Sequence, residues 1–102
     1  MSDKLKLAQA MAAKLAAYKA AYADALLAEA NRSVVHHQMR NSLRAGYAGE
    51  KVTEARIEDE AKASPQMVAA ITQHIEKLTA CGNAEAAYAL SKAEYDIAMS
   101  PA

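Results

Sequence analysis

Residues 45–65 read Ala45-Gly-Tyr-Ala-Gly-Glu-Lys-Val-Thr-Glu-Ala-Arg-Ile-Glu-Asp-Glu-Ala-Lys-Ala-Ser-Pro65, and they decide the fold. Gly46 and Gly49 can close a helix and turn the chain, because glycine adopts the left-handed backbone that a helix C-terminus and a tight turn require. Ser64-Pro65 starts a new helix: the serine side chain caps the first free N–H groups, and proline suits the first helical position. Between these signals the spacing predicts a short charged helix over about 51–62.

From Ser2 to Arg44 there is neither Pro nor Gly. Ser2 is a suitable N-cap and Asp3 lies in the first turn, where the helix dipole favours an anion, so a helix over about 2–44 is expected. Met11, Leu15, Tyr18, Tyr22 and Leu26 recur at steps of three and four and predict its buried face. Downstream, a helix over about 65–98 carries Val68, Ile71, Ile75 and Leu78 on one face, with Tyr88, Tyr95 and Met99 beyond them. Gly82-Asn83 is its weak point, at about 1 kcal/mol for glycine relative to alanine.

The fold class expected is all-α: a long antiparallel helical hairpin, coiled-coil-like, with a short helix at the turn, forming one helical domain over 1–102. If the turn centres near residue 55 or 56, Tyr18 lies level with Ala93, Tyr22 with Ala89, and His37 with His74. Four of the five tyrosines then gather at the open end, with rings opposite alanines.

Composition sharpens the expectation. Alanine supplies 27 of 102 residues, and Phe and Trp are absent. Alanine favours helix but adds little to a core. A chain this short with few bulky side chains is expected to find further burial by self-association. Leu27, Val34, Val35, Met39 and Leu43, which fall outside the first regular face, are the oligomer-interface candidates. Residues 1–49 carry seven Lys/Arg against three Asp/Glu, and residues 50–102 carry five against nine, so a basic half faces an acidic half when the hairpin closes. Zero net charge argues against strong nonspecific binding of nucleic acid or lipid. No apolar run is long enough for a signal peptide or a membrane span, and one cysteine suits a reducing compartment, so a cytoplasmic protein is expected.

Arg32, His36, Arg40 and Arg44 are spaced by four and form a basic stripe, with Tyr47 placed to stack beside it. These five are the candidates for binding an anion or a partner. Glu50, Glu54 and Glu58 repeat the spacing on the short helix and offer an internal partner for the stripe, and that internal or solvated role is favoured. Glu58-Asp59-Glu60 reads as a solvated face. His36, His37 and His74 lack metal-ligand spacing, Cys81 has no facing base, and no phosphate loop occurs. No catalytic residue, cofactor or metal is expected, and the chain reads as a non-enzyme.

The layout of a long Ala- and Tyr-bearing helix, then Lys51-Val52-Thr53-Glu54-Ala55-Arg56, Ala63-Ser64-Pro65-Gln66-Met67 and a second long helix resembles a family of small helical-hairpin proteins of tailed phages and prophages. The resemblance covers roughly residues 15–98. It implies early genes near single-strand annealing recombinases and single-stranded DNA-binding proteins, hence the cytoplasm of a bacterial host. The function it implies is a recombination or replication accessory that binds a protein partner, or weakly single-stranded DNA. Two alternatives stand beside it: a counter-defence protein that inhibits a host immune complex or sequesters a small anionic nucleotide, and a structural coiled-coil assembly.

Overall fold

The computed structural model describes residues 2–101, so the first and last residues of the expected domain lie outside it. The chain forms α1 (Asp3–Gly46), α2 (Glu54–Ala63) and α3 (Pro65–Met99). α1 and α3 pack as an antiparallel hairpin, with no strand among the described residues. Residue contacts gather into two compact units, Met1–Ala25 with Lys77–Ala102, and Leu26–Glu76.

Local chemistry explains each helix end. Ser2 Oγ accepts the Leu5 N–H at 3.1 Å, satisfying one of the four free donors of α1. Thr53 caps α2 by accepting the Arg56 N–H at 3.2 Å, so Lys51–Thr53 stay outside the helix. Ser64 is extended at φ −63°, ψ 144°, accepts the Met67 N–H and donates to the Ala61 carbonyl, closing α2 and opening α3 with one side chain. Among the described residues Gly49 alone has positive φ, at 84°, and it lies in the turn that follows α1. Gly82 leaves α3 unbroken, because a single glycine costs a helix propensity but no hydrogen bond.

In the terminal unit α3 turns Lys77, Cys81, Ala84, Tyr88, Ser91, Tyr95 and Ala98 toward α1, at alternating steps of four and three. That is the 3.5-residue repeat of a coiled-coil seam. The buried residues here are Ala25 and Ser91, and the Tyr18 and Tyr88 rings stack with centroids 6.4 Å apart. Tyr18 therefore meets a ring and not the neighbourhood of Ala93. Its hydroxyl pKa is raised, first by the negative charge of Glu85 and then by burial.

In the turn unit the core is Ala28, Ile57, Ala61, Met67 and Ala70. Arg32 reaches His74, where the symmetric turn had placed His37, a displacement of five residues and the same as that from Ala93 to Tyr88. The reason is that the chain reverses at Lys51–Thr53, before α2. α2 belongs to the returning arm, and the turn is not centred on it.

The expected face of α1 holds only in part. Met11, Leu15 and Tyr18 are half-buried, but Tyr22 and Leu26 are exposed and the seam runs through Ala21, Ala25 and Ala28. Alanine lets two backbones approach, and a bulky side chain in the same place would hold them apart.

A Cβ added at Gly82 meets nothing within 4 Å. Gly82→Ala is expected to stabilise the fold by up to about 1 kcal/mol. Gly49→Ala, also uncrowded but at positive φ, is expected to destabilise it by about 1 kcal/mol. Thermal melts followed by circular dichroism check both, and the opposite signs are the signature.

Candidate functional site

The basic stripe meets the returning arm within the turn unit. Arg44 Nη2 lies 2.8 Å from Glu54 Oε2 and its Nε 3.3 Å from Oε1, a two-point contact that fixes direction as well as charge. Arg40 Nη1 lies 3.5 Å from Glu58 Oε2. His36 Nε2 is 2.7 Å from Glu58 Oε1, close but not aligned as a hydrogen bond, so the attraction is Coulombic when the ring is protonated. Lys62, one turn along α2, adds a weaker contact to Glu58 at 3.8 Å. Glu50 makes no ion pair among the described residues.

Tyr47 is held by a second cluster. Its hydroxyl donates between the two oxygens of Glu60, at 2.8 and 2.7 Å, while Arg56 bonds Glu60 at 3.0 Å and lies over the Tyr47 ring, 5.2 Å from its centre. Glu58 and Glu60 are thus half-buried members of a clamp, which corrects their reading as a solvated face. Arg56 and Glu60 are four apart, so that pair was legible on one helix. Tyr47 with Glu60 was not, because the contact crosses the turn.

The titration shifts follow these bonds. Glu54 is held below the ordinary carboxylate range, first by its hydrogen bond from Arg44. Glu60 is lowered first by the Tyr47 hydroxyl and then by Arg56. Tyr47 is raised, chiefly because its proton is shared with Glu60.

The fifth member of the anion candidates, Arg32, stands apart. It makes no ion pair among the described residues, and its Nη1 lies 3.4 Å from His74 Nδ1. Both line an open cleft of about 440 Å³ in the turn unit. Among the described residues no three His, Cys, Asp or Glu side chains gather as a metal site. Cys81 is a half-buried free thiol in the seam of the terminal unit.

The oligomer-interface candidates divide. Leu27 and Val34 are exposed on α1, at 71% and 53%, whereas Val35, Met39 and Leu43 are half-buried. On α3 two further pairs are exposed: Val68 with Ile75, from the face on which the sequence also placed Ile71 and Leu78, and Leu90 with Ile97, which the sequence reading did not single out. Within each of the three pairs the residues are seven apart, so each pair forms a column on its helix.

Comparison with protein families, with curated proteins and with solved structures gave no match in any of the three. Among the described residues no helix is long and apolar enough to cross a membrane.

Glu58→Ala removes the carboxylate shared by His36, Arg40 and Lys62 and is expected to cost about 1–2 kcal/mol, since Arg40 Nε is already enclosed without a hydrogen-bond partner. Glu50→Ala should change stability by less than about 0.5 kcal/mol. Urea unfolding of the two variants checks the contrast.

The pH dependence has a definite sign. Glu54 and Glu60 are more acidic folded than unfolded, so their contribution is complete above the ordinary carboxylate pKa and is lost as pH falls through their lowered folded values. Tyr47 is less acidic folded, so its contribution is complete below about pH 10 and is lost as pH rises further. Melting temperature against pH should therefore fall on both flanks, and Glu54→Gln with Glu60→Gln should flatten the acid one.

Proposed function

We propose that this chain is a non-enzymatic helical interaction protein that works by laying exposed apolar columns against another helical surface, in the first instance a second copy of itself. The observation that carries the reading is an inversion of burial. Among the described residues four of the six buried apolar ones are alanines, while Leu27, Val34, Val68, Ile75, Leu90 and Ile97 stand half or more exposed. Fully burying one Leu, Ile or Val side chain contributes about 1.5–3 kcal/mol, so these columns outweigh in potential burial much of what the alanine seam provides. Their seven-residue spacing suits knobs-into-holes contact with a partner helix.

The internal pairing of Arg40 and Arg44 favours a protein partner over nucleic acid, because those cations already have carboxylates. On the strength of the resemblance over residues 15–98, the partner class we infer is the recombination or replication machinery of a phage or prophage.

Sedimentation velocity over a micromolar concentration series tests the reading. Association is expected for the natural chain, with a melting temperature that rises with concentration. Leu27→Lys with Val34→Lys, or Leu90→Lys with Ile97→Lys, should shift the species toward monomer while helicity is kept. A chain that remains monomeric throughout the series removes self-association.

A further inference from the structure

We propose that the cleft of the turn unit binds a small organic anion, a carboxylate or phosphate monoester carried on an apolar body. All of its walls come from one chain, so the proposal does not rest on self-association. Its volume, about 440 Å³, lies within the range of small-molecule sites.

Two cations, Arg32 and Lys62, reach the cleft against one carboxylate, Glu29. Arg32 is the anchor. An arginine can only donate, so its contact with His74 Nδ1 uses the imidazole nitrogen as acceptor and leaves the guanidinium charge uncompensated by any carboxylate bonded to it. A fork of donors suits the two oxygens of a carboxylate or phosphate. Lys62 reaches the cleft from α2 on a flexible stem, and its contact with Glu58 is long, at 3.8 Å, and readily exchanged. Ser33 adds a hydroxyl one residue along from Arg32, and His36 an imidazole one turn on.

The other wall is apolar. Met67 and Ile71, one turn apart at the start of α3, face the cleft beside His74. A ligand whose charged head meets Arg32 can lay its body on Ile71 and on the small edge of Met67 that the core leaves open, which a bare inorganic ion leaves unused. Glu29, one turn before Arg32, is the opposing charge in the cleft, and it selects against ligands of excess negative charge near that end.

The test is a titration of the isotopically labelled full chain, followed by amide chemical shifts at low salt, with phenyl phosphate, benzoate and inorganic phosphate as probes. Phenyl phosphate or benzoate is expected to shift residues around Arg32, Ser33, Met67 and His74. Whichever of the two binds more tightly identifies the head group, and it should exceed inorganic phosphate by about tenfold through burial of the ring. Arg32→Gln should weaken binding about tenfold, and Glu29→Gln should strengthen it. Lys19→Gln, in the other unit, should leave it unchanged. Retained helicity of Arg32→Gln shows that the loss is local. The proposal is overturned if Arg32→Gln binds as the natural chain does, if the shifts spread over the surface lysines, or if no probe at millimolar concentration moves the cleft residues.

Discussion

Close approach of the helices over alanine is the constraint from which the rest of the structure follows. Ala25, Ala28, Ala61 and Ala70 occupy positions where a leucine would force backbones apart, and the gain is dispersion contact along whole helical turns in place of a thick core. The consequence is geometric. Each long helix has one narrow seam, and side chains too large for it are turned outward. Leu27, Val34, Leu90 and Ile97 are exposed because alanine holds the inside.

A second constraint, electrostatic, acts on the returning arm. Arg44 with Glu54, and His36 and Arg40 with Glu58, tie α2 to the last turns of α1. An exposed pair such as Arg44 with Glu54 contributes little singly, but beside the half-buried set that shares Glu58 it resists sliding, since any slip breaks several contacts together. Tyr47, Arg56 and Glu60 add a stacked and hydrogen-bonded lock beside it. Arg32 lies beyond the reach of the glutamates of α2. It lines a cleft with imidazoles, a serine, apolar side chains, Lys62 and Glu29, and so the end of the stripe farthest from the turn differs chemically from the end beside it.

Much of the fold was legible because helix ends are local events. Ser2, Gly49 and Ser64-Pro65 each act within three or four residues, and a reader of the chain can see them. The choice of buried face was less so. Periodicity weights large side chains, so Tyr22 and Leu26 stood out where the contact is made by Ala21 and Ala25. The charge stripes showed their spacing but not their mates. Register depends on where the reversal lies, and placing α2 in the returning arm moved the partners of Tyr18 and of His74 by five residues. The cleft was invisible for the same reason, since Arg32, Lys62 and His74 come together only once that register is set.

By itself the sequence determined helices, their caps, the hairpin and the presence of complementary charge, because propensity, capping and i,i+4 spacing are short-range. Tertiary structure alone decided which face became the seam, which carboxylates Arg40 and Arg44 received, and that Arg32 pairs with none among the described residues. Those outcomes depend on the closest distance two backbones can reach, and that is a property of the packed pair, not of either helix.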